Sequence, residues 1–425
     1  MGQPASHLLR IVTLIGVVAC SGRDTMTALP QRIRVAPMAS PAGPNSAEPF
    51  IASADKNTLI LSWLERQPDS VTVAMNVVRI DSTGTWSSPI EIVKAGDLFV
   101  NWADFPSVVQ LADGRLLAHW LQKNGSGKYS YDIKLSESAD EGATWSRPSL
   151  PHGQAIAAEH GFVTLLPRAD STADVVFLNG SPTPEGTAEG QGPPMKVAIA
   201  RWDKSGRVQG SETTLDARTC DCCQTAAAMT TRGAVVLYRD RSDKEVRDIY
   251  VRRHVNGAWA EAAPLHSDNW TINACPVNGP AISAIGDTVA AVWFTGANNA
   301  PMVQLMFSTD AGANFGAPVR IDAGLPSGRV DVELLRSGEA LVTWIERTAA
   351  DSAEVRARLV RRDGTAEPSI TIGVLSGGRA SGFPRLAQLR DGVVLTWTEP
   401  SSPSRVRLAR LTIVPRGTRR IPDPH

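Results

Sequence analysis

Leu59-Ile60-Leu61-Ser62-Trp63, Leu116-Leu117-Ala118-His119-Trp120, Val235-Val236-Leu237-Tyr238, Val289-Ala290-Ala291-Val292-Trp293, Ala340-Leu341-Val342-Thr343-Trp344 and Val393-Val394-Leu395-Thr396-Trp397 are one short apolar run repeated, each closed by an aromatic ring. Val175-Val176-Phe177 is a shorter copy. The aromatic ends recur roughly every 50 to 60 residues, the length of a four-stranded antiparallel unit with its loops. Short apolar runs bounded by turn signals read as buried strands. Several are preceded by turn pairs, Asp113-Gly114, Gly286-Asp287 and Asp391-Gly392, which tolerate the positive φ of tight hairpins. Helical periodicity is absent, so each unit reads strand, turn, aromatic-ended strand, loop, strand, turn, strand.

Counting the units sets the architecture. Seven second strands are visible, but the last unit, residues 382–414, stops after its third strand. A lone strand candidate lies near the N-terminus, Gln31-Arg32-Ile33-Arg34-Val35, and resembles the outer-strand segment Pro318-Val319-Arg320-Ile321. Pairing it with the last unit closes a ring and removes two exposed sheet edges. The expectation is an all-β, seven-bladed β-propeller of four-stranded antiparallel blades, its ring closed by an N-terminal strand. Six blades is the alternative, because the Pro- and Gly-rich third repeat is irregular.

The N-terminus bears on compartment. Residues 11–18 are apolar but too short to span a bilayer, and they run into Val17-Val18-Ala19-Cys20-Ser21. That is the pattern of a bacterial lipoprotein signal with Cys20 as the lipidation site; an ordinary secretory signal is the alternative. The expected organisation is a signal over residues 1–20, a tether over 21–31, a single propeller over 32–415 and a tail over 416–425. Ser21, in place of an acidic residue, favours the outer membrane of the bacterial cell envelope. Lys and Arg total 43, as do Asp and Glu, so no net field draws nucleic acid. A monomer is expected.

Two turns carry a specific signature. Ser138-Ala139-Asp140-Glu141-Gly142-Ala143-Thr144-Trp145 fits Ser-x-Asp-x-Gly-x-Thr-Trp, and Ser308-Thr309-Asp310-Ala311-Gly312-Ala313-Asn314-Phe315 fits with its last two positions relaxed. The carboxylate accepts turn amides, the glycine takes a positive φ, and the aromatic plugs the gap between sheet layers. Looser copies stand at Asp81, Asp203, Asn256 and Asp363.

The motif and its placement resemble the sialidase superfamily of Asp-box (BNR) repeat proteins, over nearly the whole mature chain. The resemblance implies that Asp140 and Asp310 are structural and lie opposite the active face. It also implies an arginine triad gripping a substrate carboxylate, a tyrosine nucleophile activated by a glutamate, and an aspartate acid/base, together an exo-α-sialidase-type glycoside hydrolase. The chain departs from that pattern. The opening Phe or Tyr followed by Arg-Ile-Pro is missing, active members carry six blades, and only four tyrosines exist. Tyr129 and Tyr131 remain as nucleophile candidates, placed in a loop.

Loops leading into the first strands should crowd the propeller axis. They hold charged residues and cysteines where structure alone needs them least. Asp104, Glu159, Arg239, Arg329 and Arg379 form the candidate polar constellation for a glycan. Trp102 and Trp270 could stack on a sugar ring, with burial the alternative. Cys220, Cys222, Cys223 and Cys275 should meet at two neighbouring mouths, with His160 beside them. Four thiols and an imidazole suit copper or zinc; disulfides, favoured by an oxidising compartment, and free redox thiols are the alternatives. His119 reads as a satisfied core or channel residue, and His152, His254 and His266 as surface positions. Three functions follow: a sialidase-type enzyme, a non-catalytic binder of a small molecule, glycan or protein, and a metal or redox propeller.

Overall fold

The aromatic-ended runs become the second strands of seven antiparallel sheets, each flanked by its first and third strands. The computed structural model describes residues 1–2 and 31–416, except 82, 154–155 and 182–192. The described residues from 31 to 416 belong to one unit. Cys20, the signal segment, all but the end of the tether, and the tail beyond Arg416 lie outside the described residues.

Blade 1 comprises Ser46–Ser53, Thr58–Arg66, Val73–Asp81 and Ile90–Ala95. Blade 2 has Ser107–Gln110, Leu116–Lys123 and Tyr131–Ser138; only a Leu135–Ser149 bridge marks its outer edge. Blade 3 is His160–Pro167, Ala173–Asn179, Lys196–Trp202 and Val208–Asp216. Blade 4 is Ala226–Thr230, Gly233–Arg239 and Ile249–Val255, with an outer edge split into Ala258–Trp259 and Ala263–Pro264. Blade 5 is Ala281–Ile285, Thr288–Thr295, Met302–Ser308 and Val319–Arg320, and blade 6 is Leu325–Leu334, Ala340–Ala349, Ser352–Val360 and Ile370–Ser376. Blade 7 takes Arg385–Leu389, Gly392–Glu399 and Arg405–Ile413 from the C-terminus, and Ile33–Met38 from the N-terminus.

The closing strand pairs antiparallel from Ile33 opposite Ile413 to Met38 opposite Leu408. The ring therefore has seven blades, and the six-bladed alternative is set aside. Arg32 locks the closure. Its Nη1 donates to Glu339 at 2.7 Å and Glu367 at 2.9 Å in blade 6, and its Nε to the Val414 carbonyl at 2.8 Å. All three charged side chains are buried and compensate one another, and Arg416 adds a more exposed cation 3.2 Å from Glu367 and 3.8 Å from Glu339. Between the blades pack apolar clusters whose largest members, Trp63, Trp202, Trp293 and Trp344, are fully enclosed. Truncating any one to alanine would cost about 3–5 kcal/mol.

On the face carrying the turns between third and fourth strands, the two signature segments fold alike. Asp140 accepts the Thr144 amide at 2.8 Å and its hydroxyl at 2.6 Å, while the Gly142 amide donates to the Ser138 hydroxyl at 2.8 Å. Asp310, Asn314, Gly312 and Ser308 repeat the pattern. Gly142 sits at φ +99°, closed to other residues. Trp145 and Phe315 pack half-buried against separate inter-blade clusters.

Candidate functional site

First strands run from the opposite face, beside the axis, toward those turns. Their upper halves enclose a cavity of about 140 Å³ to which every blade contributes, from Phe50 in blade 1 through Ser107, Thr164, Ala226, Ala281 and Asp331 to Arg385 in blade 7. Gln224 spans it: its Nε2 donates to the Ala103 carbonyl at 2.6 Å, and its Oε1 accepts the Gly279 amide at 2.9 Å.

At the mouth, the structure joins Asp104 and Glu159 through Tyr131. The phenol lies 3.0 Å from the Asp104 carboxyl and 2.9 Å from that of Glu159. Asp104 also accepts the Phe162 amide at 2.7 Å. Burial pushes the Asp104 carboxyl up to about 7, against the pull of the Phe162 and Tyr131 hydrogen bonds. Burial, then the negative charges of Glu159 and Asp104, hold the Tyr131 phenol well above its ordinary value. A protonated Asp104 can therefore donate to the phenol oxygen while the phenol donates to Glu159. Gly161 makes this possible, since a Cβ there would lie 1.9 Å from Asp104 Oδ2. Tyr131 heads a strand rather than a loop, stacks on Phe99 at 3.9 Å and is fully enclosed. A substrate carbon does not reach its hydroxyl in this geometry. Strand alternation explains the difference: with Asp132 facing its own partners, Tyr131 turns into the inter-blade layer.

Arg329, from blade 6, packs against Trp102, two residues before Asp104. The guanidinium lies 4.7 Å over the indole, and its hydrogen bonds among the described residues all leave from Nη1, to Ser381 Oγ and to the Gly378 and Gly382 carbonyls. Asn278 accepts its backbone amide at 2.7 Å. Burial, and then the neighbouring Arg379 charge, lowers the Arg329 guanidinium to about 10. Arg379 itself is exposed. Trp102 is half-buried and begins an aromatic row: Phe383 stacks on it at 5.9 Å, Phe105 follows at 5.9 Å, and Phe50 stacks on Phe105 at 6.2 Å. Arg385 covers the far end, 5.3 Å over Phe50, and lies 3.6 Å from the buried Asp331. Nothing local in the sequence marks the stacking of Phe383 or the placement of Arg385.

Arg239 does not join the constellation. Its guanidinium is buried and donates to the backbone carbonyls of Asn278, Arg247 and Phe294. With each of its three nitrogens turned to a backbone carbonyl, no fork is left for a carboxylate, and Arg239 pins blade 4 to blade 5 instead. Trp270, beneath it at 4.9 Å, is buried.

The cysteines meet as expected, but His160 does not join them. The Sγ atoms of Cys220, Cys222 and Cys223 lie within 4.8 Å of one another, and Cys275 reaches Cys222. None of the four is joined in a disulfide in this structure. Burial opposes ionisation of Cys220, yet hydrogen bonds from Cys222 and Cys223 and the Arg247 charge hold it well below the usual thiol range. His160 groups instead with His152 and Asp132, all buried. It stacks on His152 at 3.9 Å, with Nδ1 at 3.2 Å from the Tyr131 carbonyl. His152 is thus no surface residue: its side chain lies beneath the mouth loop against His160. His119 is a fully buried core residue whose Nδ1 lies 2.8 Å from Ser107 Oγ, while its Nε2 has no hydrogen-bond partner among the described residues.

No family model matches the chain, and no curated protein sequence matches it. Solved structures do. A protein of unknown function from Dyadobacter fermentans is 14% identical, with 90% of this chain and 99% of that one covered, at a TM-score of 0.53. An ulvan lyase, described as a new family of polysaccharide lyase and bound to GlcA(1-4)Rha3S, is 11% identical over 89% of this chain and 93% of its own, at 0.51. The NanB sialidase of Streptococcus pneumoniae is 9% identical over 90% and 94%, at 0.47. Likeness at such identity speaks of fold alone, and the fold of this chain is a seven-bladed β-propeller.

Proposed function

We propose that the chain is a lipid-anchored, extracytoplasmic propeller of the bacterial envelope that binds an acidic carbohydrate at its axial mouth. The observation carrying this reading is the pair Arg329 and Arg379 beside the half-buried face of Trp102. Two guanidinium groups raise each other's free energy, which a bound carboxylate or sulfate relieves. The exposed part of the indole, left beside Arg329 and Phe383, offers apolar contact to the C–H side of a sugar ring, and the half-buried Glu159 supplies a hydroxyl partner at the mouth. Several propellers of similar fold are carbohydrate enzymes by name, one of them bound to a uronate and sulfated-sugar ligand, which supports the class of ligand. The anchor rests on residues 17–21 of the sequence; Cys20→Ala should move the protein from the membrane to the soluble fraction.

A glycan array tests the reading. Wild-type protein should retain acidic glycans over neutral ones, and Trp102→Ala should lose retention by at least about tenfold with its fold intact. Retention of neutral glycans alone would reject it. Hydrolysis is a second reading, favoured by one observation: an Asp104 carboxyl held near neutrality against Tyr131 and Glu159 has the pKa of an acid/base group. Release of a fluorogenic sialoside, abolished by Asp104→Asn, would establish it, and no release by wild-type protein would leave the chain a binder.

A further inference from the structure

Three sulfurs on one loop make a site that carbohydrate binding does not use. Cys220, Cys222 and Cys223 lie between the last strand of blade 3 and the first of blade 4, and all three pairs of Sγ atoms are within 4.8 Å. Cys220 and Cys222 are 3.8 Å apart, far beyond the roughly 2.05 Å of a disulfide. That edge has a chemical meaning. Two thiolates bound to one closed-shell cation at about 2.3 Å, opening about 110–120° at the metal, sit about 3.8–4.0 Å apart.

The surroundings suit thiolates rather than packed thiols. Arg247, buried to 2% exposure, directs Nη1 at Cys220 Sγ from 3.5 Å. A guanidinium enclosed against sulfur pairs well with a charged ligand and poorly with an apolar thiol. The loop is held from outside: Asp221 accepts the Met195 amide at 2.9 Å and Arg241 at 2.7 Å, which fixes Cys220 and Cys222 on either side of it. Cys220 and Cys223 are buried, whereas Cys222 is half-buried and gives an ion access. Cys275 reaches Cys222 but lies outside the mutual group. Structural zinc takes four ligands in a tetrahedron, whereas three soft sulfurs match copper(I).

We propose that Cys220, Cys222 and Cys223 bind one copper(I) ion as a three-thiolate site, with Arg247 donating to Cys220 and Cys275 outside the ligand set. Binding releases the protons of whichever thiols are neutral beforehand. No electron transfer is required, because the ion enters as copper(I).

The full chain, purified without oxidant, should withdraw one equivalent of copper(I) from a bicinchoninate complex, and X-ray absorption should report three sulfur neighbours. Cys222→Ser and Cys223→Ser should abolish this, with circular dichroism confirming the fold, whereas Cys275→Ser should retain it. Arg247→Lys should weaken it about 10- to 100-fold, as loss of an outer hydrogen bond does at metal sites. The proposal is overturned if no copper(I) is withdrawn, if Cys275→Ser abolishes binding and zinc competes equally, or if peptide mass spectrometry finds these cysteines in disulfides in the purified protein.

Discussion

The two faces of the ring are held by bonds of very different reach. At the turn face, Asp140 and Asp310 accept hydrogen bonds from residues four positions away, and Ser138 and Ser308 likewise. At the mouth, Asp104 holds the Phe162 amide across 58 residues, Gln224 holds Ala103 across 121, and Arg329 holds Asn278 across 51. Local turns form from their own segments. The mouth exists only when the ring is closed, so its side chains are ordered by the whole fold.

Breaking the closure should therefore damage the mouth most. Arg32→Ala leaves the buried Glu339 and Glu367 with only the more exposed Arg416 as cation and should cost about 3 kcal/mol in urea unfolding. Ligand binding and mouth amide protection should fall with it, while the signature turns keep their local exchange protection. Next comes Gly161→Ala, whose Cβ would strike Asp104 and Tyr131. Overpacking there should cost about 2–3 kcal/mol and disorder the Asp104–Tyr131–Glu159 contact. Smallest is Asp310→Ala, an exposed turn acceptor comparable to a cap, at about 1 kcal/mol or less, with binding unchanged.

Asp104 and the signature turns should also answer pH in opposite senses. Asp104 has a folded value of about 7, raised by burial above the ordinary carboxyl value near 3.9. Its contribution is greatest below about pH 4, declines as pH rises to about 7 and is flat beyond. Asp140 and Asp310 are held down to about 2, chiefly by the hydroxyl of Thr144 and the amide side chain of Asn314. Their contribution is present above about pH 4 and lost as pH falls toward 2. Denaturation midpoints of Asp104→Asn should decline less steeply between pH 4 and 7 while keeping the acid limb, the remaining slope coming from Glu48 and Glu333, which burial also raises, to about 7 and about 8. A slope unchanged by Asp104→Asn would place its origin elsewhere.

The same contrast explains what the sequence made legible. The second-strand repeat, the unfinished last unit and the lone strand at Ile33 gave the ring, because strand period and edge pairing are written in short segments. The signature turns were legible for the same reason. At the mouth, residue types predicted polarity but not partners. Arg239 looked like Arg329, yet three carbonyls from neighbouring segments enclose one and a single nitrogen of the other is engaged. His160 lay in sequence between the cysteines' blade and blade 2, and only the packing of His152 beneath the loop shows which side it joins. Tyr131 was named without its burial. The cysteine trio was legible because Cys-x-Cys-Cys is local; the reach of Cys275 to Cys222 came from correct counting of adjacent mouths.

The most direct test of the account is isothermal titration of an acidic uronate oligosaccharide and its neutral reduced counterpart into wild-type protein and Arg379→Gln, whose side chain is exposed and whose loss leaves the fold intact. The account predicts that the acidic ligand binds, weakens with salt and loses about tenfold or more in affinity in the variant, while the neutral counterpart binds poorly to both. Equal affinity for the two ligands, or an acidic ligand indifferent to Arg379, would contradict it.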